Sequence, residues 1–368
     1  MPETPPPTDE LTRLRTALDE VDADLVALVA RRAEIVRRIG AAKQATGRAT
    51  RDYTRERVVI EGARSRAGAL GVDADLAEAL MRALIDDSLA AQEGDRVAAT
   101  EHGDGQRALV IGGAGKMGSW FARFLRNQGF DVAIVDPAGP LPGFPSVDDW
   151  RGDHDLVVVA APLPATAALL GELAQEPPPG VIFDVASLKG TLRPGLDALR
   201  AAGARVTSLH PMFGPDARLL SGRHVVLCDC GVPEATAAAR ALFAPTMAAI
   251  VEMSLEEHDR TMAFVLGLSH AVNIAFFTAL QRSGATAPRL AEISSTTFAG
   301  QLEVARRVAG ESPELYYEIQ AANAWGGEAL DALAAAAETL RDVVAARDRD
   351  AFGRLMTEGA AYLARLEG

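Results

Sequence analysis

A glycine-rich turn constrains the fold of this chain more tightly than any other segment. Val110-Ile111-Gly112-Gly113-Ala114-Gly115-Lys116-Met117-Gly118 grows out of a short apolar run, Ala108–Ile111, and a helix-forming stretch separates it from a second run, Val132–Val135. Strand, G-x-G-x-x-G and helix in that order make a dinucleotide-binding turn. Gly113 permits the tight turn, Gly115 lets backbone approach a pyrophosphate, and Gly118 lets helix pack on strand. The helix N-terminus, with Lys116 and Met117 in its first turn, offers free N–H groups to the phosphates. Asp136 ends the second strand, placed to accept hydrogen bonds from a ribose 2′-OH. The following Pro137-Ala138-Gly139-Pro140 has no cation for a 2′-phosphate, which favours NAD over NADP. An ordinary Gly-rich turn is the alternative, and the flanking strands and acid weigh against it. The motif starts more than a hundred residues into the chain, so a separate module precedes it.

With 368 residues the chain holds roughly two or three domains. A net charge of −13 argues against nucleic acid or an anionic membrane as a partner, so an anionic substrate must be caught by local clusters of Arg and Lys. Cys228 and Cys230 share one face of an apparent strand, His224–Cys230, without nearby metal ligands, and are expected as reduced thiols. Met1–Pro7 is Pro-rich without a basic apolar leader and is expected to be a disordered tail. No uninterrupted apolar run is expected to reach membrane-spanning length, so the protein is expected in the cytoplasm.

Residues 8–92 are expected to be helical throughout, with Thr8 as an N-cap. Leu14, Leu18, Val21, Leu25, Leu28, Ile35 and Ile39 form a heptad stripe along one long helix. Shorter helices follow at about 53–66 and 74–92, too little to bury that stripe, so a second chain is expected to cover it. Residues 93–106 are polar and Gly-containing and are expected to form a linker. From 107 to 254, apolar runs at Ala108–Ile111, Val132–Val135, Leu156–Ala160, Val181–Val185, Arg205–Leu209, Val225–Cys228 and Ile250–Met253 alternate with helical stretches. That alternation predicts a mainly parallel, doubly wound α/β sheet. Residues 255–368 are expected to be helical again, and the apolar segment Met262–Leu280 belongs in a core or a dimer interface.

The long helix carries charges on its stripe. Arg32 and Lys43 point the same way about 16 Å apart, and Arg15 lies about 25 Å up the same helix, too far to join them within one chain. Asp52, Arg55 and Glu56 share a face of the second helix, and Ser88 and Gln92 a face of the third. Snorkelling side chains and surface ion pairs would explain such residues singly. Collectively the segment resembles the all-α class of chorismate mutase, through Leu14-Arg15, Ala30-Arg31-Arg32, Lys43, Arg51-Asp52-Tyr53-Thr54-Arg55-Glu56-Arg57 and Asp87-Ser88-Leu89-Ala90-Ala91-Gln92. The resemblance implies active-site roles for Arg15, Arg32, Lys43, Asp52, Arg55, Glu56, Ser88 and Gln92. Arginines would hold the two carboxylates of chorismate, Arg15 from the partner chain. Glu56 with Asp52 would engage the ring hydroxyl, and Gln92 and Lys43 the ether oxygen. A unimolecular rearrangement of this kind needs no nucleophile or base, only preorganised charge and restraint.

A second constellation lies at Ser208-Leu209-His210-Pro211-Met212-Phe213-Gly214-Pro215-Asp216. His210 ends a strand at the edge where doubly wound sheets bind ligands, although a lone His is more often structural. The string resembles the prephenate dehydrogenase signature, as does Asp184-Val185-Ala186-Ser187-Leu188-Lys189. The two modules in order resemble bifunctional chorismate mutase–prephenate dehydrogenases of the T-protein type. The resemblance implies a Rossmann-type NAD domain followed by an all-α dimerisation domain, and a homodimer acting on small anions. It makes His210 the proton acceptor in an oxidative decarboxylation, places Ser187 and Lys189 near cofactor and substrate, and gives Arg307 the substrate carboxylate. The family pattern departs at two positions, where arginines are replaced by Ser269 and Ala299. The loss of two cations leaves open a 4-amino-4-deoxy substrate series, which a pocket with fewer positive charges penalises less. A regulatory binder without turnover would be marked by loss of one of these residue sets, and both are present.

Overall fold

The computed structural model describes residues 7–365; of the expected tail only Pro7 falls within it, and it opens the first helix. Helices α1 (Pro7–Ala45), α2 (Tyr53–Ala69) and α3 (Ala74–Ala98) make the first module. Thr8 lies inside α1 rather than capping it, because proline is accepted at a helix start, where its missing N–H costs nothing. Asp52 and Asp73 cap α2 and α3 by accepting from the N–H groups of Arg55 and Leu76. The stripe on α1 remains uncovered: Leu14, Leu18, Val21, Leu25 and Leu28 are each at least half exposed.

The expected linker begins later than the sequence pattern indicated, because α3 continues to Ala98. Leu89, Glu93 and Val97 follow at four-residue spacing and are all buried, so the last turns extend the helix's inner face despite Gly94. Glu93 is no linker residue: its carboxylate accepts from the backbone N–H groups of Leu220 (2.7 Å) and Met247, joining the helical module to the next one.

All seven expected strands form one sheet: β1 (Arg107–Ile111), β2 (Asp131–Val135), β3 (Leu156–Val159), β4 (Val181–Asp184), β5 (Arg205–Pro211), β6 (His224–Cys228) and β7 (Ala249–Met253). Their order is β2-β1-β3-β4-β5-β6-β7, parallel through β5, with β6 antiparallel to β5 and β7 parallel to β6. Helices α4 (Lys116–Asn127), α5 (Leu163–Leu173), α6 (Arg193–Ala201) and α7 (Pro233–Phe243) pack against it, leaving β3 and β4 wholly buried. The chain reverses direction across the sheet between β2 and β3, which opens a crevice beyond the ends of β1 and β3, where ligands bind in such sheets. Cys228 and Cys230 are buried free thiols, pushed up to about 12 by burial.

Seven further helices close the chain, α8 (Leu255–Met262) to α14 (Arg349–Ala364). α8, a π-helical segment Ala263–Leu268 and α9 (Ser269–Arg282) form one continuous helix, Leu255–Arg282. By length and composition it could cross a membrane, contrary to expectation, since the scattered polar residues Ser269, His270 and Asn273 do not break the run. Its residues Phe264, Val265 and Val272 are exposed, as a helix buried against a second subunit would leave them. A compact monomer of this mass exposes about 14,000 Å², whereas this chain exposes 22,140 Å².

Gly118 fixes how α4 meets β1. A Cβ there would lie 2.0 Å from the Gly112 carbonyl oxygen. Gly118→Ala should therefore lower the melting temperature by a few degrees, the effect of a forced backbone shift costing about 1–3 kcal/mol. An unchanged thermal melt would show that α4 moves freely.

Candidate active sites

The helical module encloses a cavity of about 550 Å³ lined by α1, α2 and α3. Arg32, Lys43, Asp52, Arg55, Glu56, Ser88 and Gln92 all reach it, seven of the eight side chains expected there. Arg15 does not, and lies exposed on α1 in its own protomer. Arg32 donates to the Leu84 carbonyl at 2.9 Å and to Ser88 Oγ at 2.5 Å, and Ser88 passes its own proton to Leu84. Ser88 is thereby a rotamer lock for Arg32. Lys43 donates to the Thr50 carbonyl at 2.7 Å, which holds its ammonium at the cavity. Gln92 is buried with Oε1 unpaired, and Gly40 makes its space, since a Cβ there would lie 2.9 Å from Gln92 Cγ. Asp52 spends one carboxylate oxygen on capping α2, so its first task is to start the helix that presents Arg55 and Glu56. Arg51 forks onto both oxygens of Glu56 at 3.0 and 2.9 Å. The cavity offers several cations, a fixed carboxylate and an amide.

At the sheet crevice the glycine turn differs in detail from its sequence reading. The residue with positive φ is Gly112 (81°), not Gly113, and a Cβ on it would strike the Ala160 carbonyl across the crevice at 2.6 Å. Gly113 instead makes room for Ile134, whose Cγ2 lies 2.5 Å from where a Cβ would be. Gly115 opens α4 without any side-chain cap, so the first-turn N–H groups of Lys116, Met117 and Gly118 stay free for an anion. Asp136 accepts from Ala114 N (2.9 Å) and Ala138 N (2.8 Å), which holds its carboxylate beside the turn. Lys116 lies 3.8 Å from Glu311, so the C-terminal end of α11 (Thr296–Ala309) overhangs the glycine turn.

His210 lies buried at the end of β5. Its Nδ1 is 2.9 Å from His258 Nε2, and His258 Nδ1 is 2.7 Å from Asp259 Oδ1. The carboxylate can only accept, and it also takes the N–H groups of Lys189 (2.8 Å) and Gly190 (2.6 Å). His258 must donate from Nδ1, which makes its Nε2 an acceptor and forces the proton of His210 onto Nδ1. His210 Nε2 is left as a lone pair with no hydrogen-bond partner among the described residues. Burial, reinforced by His258 and Lys189, holds His210 well below the ordinary histidine range, so it is neutral.

Sequence reasoning missed His258 and Asp259, which sit in the charged run Glu256-Glu257-His258-Asp259-Arg260 of α8 and differ from their neighbours in being buried. Lys189, expected near cofactor and substrate, is fully buried. Its ammonium bridges Asp184 (2.7 Å) and the Leu209 carbonyl (2.6 Å), because a buried ammonium needs a carboxylate and oxygen acceptors around it. Lys189 braces the strand that carries His210. Ser187 is half-buried on the loop after β4. Arg307 is exposed and paired with Glu303 one turn back on α11, without a bond to the His210 network. Ser269 turns its hydroxyl onto the Val265 carbonyl. His270 packs edge-on against Tyr316 and is pushed down to about 4 by burial.

A charged helical cavity joined to a doubly wound dinucleotide-type sheet with a base at its crevice defines a two-site enzyme. Residues 14–93 match the family model for chorismate mutase type II, 146–252 that for the prephenate dehydrogenase nucleotide-binding domain, and 254–358 that for its dimerization domain. The chain is 31% identical to the T-protein of Enterobacter agglomerans, over 84% of this chain and 81% of that protein. It is also 31% identical to a 4-amino-4-deoxyprephenate dehydrogenase of Streptomyces pristinaespiralis, over 68% of this chain and 89% of that one. Its fold is that of the A. aeolicus prephenate dehydrogenase solved with hydroxyphenyl propionate and NAD+, with a TM-score of 0.59 at 20% identity, covering 71% of this chain and 98% of that one. The chain belongs to the T-protein family of bifunctional chorismate mutase–prephenate dehydrogenases.

The forced tautomer has a pH signature. His210 is neutral with Nε2 free to accept a proton, and burial lowers its pKa. Dehydrogenase kcat/KM should therefore hold level as pH falls through the ordinary histidine range and decline only below it. His210→Asn should lower kcat by about 10²–10⁴ with little change in KM, and His258→Ala by a smaller factor. Full turnover in His210→Asn would remove the histidine from the chemistry.

Proposed function

We propose that the chain rearranges chorismate to prephenate in the helical cavity. It then oxidatively decarboxylates prephenate with NAD to 4-hydroxyphenylpyruvate at the sheet crevice, a step towards tyrosine. The division into a helical mutase module, an NAD-binding module and a helical dimerisation module, acting as a homodimer, is part of this reading. The observation that carries it is the cavity, where cations, carboxylate and amide from three helices converge. Arg32 and Arg55, with Arg15 of a second copy, hold the two carboxylates by charge-assisted forks. Glu56 accepts from the ring hydroxyl. Lys43 and Gln92 donate to the ether oxygen as the C–O bond breaks.

The crevice suits NAD: the Gly112 and Gly118 approaches leave no room for side chains, the α4 N-terminus is uncapped, and Asp136 stands where a ribose hydroxyl needs an acceptor. When bound, the nicotinamide supplies the hydride acceptor. His210 Nε2 takes the proton of the substrate hydroxyl as the carbon it sits on is oxidised. The ring ketone so formed receives the electron pair released when the ring carboxylate leaves as CO₂, and aromatisation makes the step irreversible. Arg307, at the overhanging end of α11, leaves Glu303 for a substrate carboxylate.

A shared mutase site has a direct assay. Mixing Arg15→Ala with Arg32→Ala chains should restore about a quarter of the sites in a randomly exchanged dimer, because only one site of each heterodimer has both arginines. No recovery after verified subunit exchange would place the whole site in one chain.

A second reading is favoured by Ser269 and Ala299 and by the Streptomyces relative: the same two reactions on 4-amino-4-deoxychorismate and its product. Steady-state turnover of both substrate series, with NAD and NADP, decides between them. We expect the hydroxy series to lead. A preference for the amino series beyond about tenfold in kcat/KM, some 1.4 kcal/mol, reverses the reading.

A further inference from the structure

We propose that Arg51 is a positioning residue for the rearrangement, fixing the Glu56 carboxylate from behind while itself seated on Ser221 of the dehydrogenase module. The proposal rests on the mutase reading of the helical cavity. Arg51 does not line that cavity; it stands outside it and forks onto both Glu56 oxygens through Nε and Nη2. Its third nitrogen, Nη1, donates to Ser221 Oγ at 2.7 Å. The guanidinium also lies over the Tyr53 ring, 4.6 Å from its centroid. Arg51 and Glu56 are largely shielded, with side-chain exposures of 25% and 17%, so the pair is less screened than a surface bridge. Each Glu56 oxygen keeps a lone pair for a substrate hydroxyl, but the fork stops the carboxylate from rotating.

The seat is firm. Ser221 belongs to residues 212–223, which leave β5 immediately after His210 and Pro211 and return as β6. This segment is bonded to the mutase helix α3 at two further points. Arg218 meets Asp87, the neighbour of Ser88, at 3.3 Å, and Leu220 N meets buried Glu93, the neighbour of Gln92. Trp120 fastens it to the sheet module by donating to the Ala217 carbonyl at 3.0 Å. Ser221 is therefore placed by the dehydrogenase module, and through Arg51 it sets the orientation of a carboxylate in the mutase site.

The test uses the full-length protein as wild type, Arg51→Leu, Arg51→Lys, Ser221→Ala and the Arg51→Leu/Ser221→Ala double variant. Chorismate loss gives the mutase parameters, and circular dichroism with thermal melting reports folding. Arg51→Leu should lower mutase kcat by about tenfold or more with KM changed less, as loss of orientation does. Arg51→Lys should recover part of the loss, since one bond replaces a fork. Ser221→Ala should cost roughly two- to fourfold, although it lies in the other module, and should cost nothing further once Arg51 is leucine. Arg51→Leu within about twofold of wild type, or a Ser221 effect that multiplies with that of Arg51, overturns the clamp. Should Arg51→Leu not fold, Ser221→Ala at wild-type kcat overturns it alone. Wild-type protein that leaves chorismate unchanged overturns the mutase reading beneath it.

Discussion

One buried carboxylate, Asp259, organises the dehydrogenase half of this molecule. It accepts from the backbone of Lys189 and Gly190 in the sheet module and from His258 on its own helix, and its carbonyl receives Asn323 from the far end of the helical module. A carboxylate so enclosed is satisfied only when each donor is in place, so the two modules share a single arrangement. The consequence reaches the chemistry, because an acceptor at one end of a two-histidine chain decides which nitrogen of His210 is free at the other.

The mutase half is built on a different principle. Its cavity gathers charge from three helices, and three of its charged groups are held by partners of fixed geometry: Arg32 by Leu84 and Ser88, Lys43 by Thr50, Glu56 by Arg51. A pericyclic reaction gains nothing from a mobile proton and much from immobile charge. The sheet crevice needs one proton acceptor of the right tautomer, and the helical cavity needs none.

Much of this was legible in the sequence because two periodicities carried it. β-branched runs separated by helical stretches located all seven strands, and the seven-residue stripe revealed α1 and its exposed apolar face. Helical spacing brought Arg55 and Glu56 together, but only the resemblance gave the cavity side chains their roles, and Asp52 caps α2 rather than lying on it. What escaped depended on contacts between segments far apart in the chain. Glu93 looked like linker because nothing local marks it as the acceptor for Leu220 and Met247. The full burial of Lys189 left no sign in the sequence, as burial of a cation is set by Asp184 and Leu209 rather than by its neighbours. Gly112 and Gly113 are chemically identical, and only the approach of β3 assigns the positive φ to the first. The π-helical segment Ala263–Leu268 left no trace in composition; the Gly267 carbonyl receives Gln320 from α12 (Pro313–Ala321), a contact set wholly by packing.

The length of α1 has a bearing on how the protein matures. Its 39 residues form a rod about 58 Å long, and the half that carries Arg15 extends beyond its own module with its leucines in water. The His210–His258–Asp259 chain, by contrast, is complete within a single polypeptide. During synthesis the mutase helices leave the ribosome first with the α1 stripe still in water, while the sheet emerges later and builds its histidine relay from its own chain. On the proposed two-chain mutase site, the order in which the two sites become whole is the reverse of the order in which they are translated.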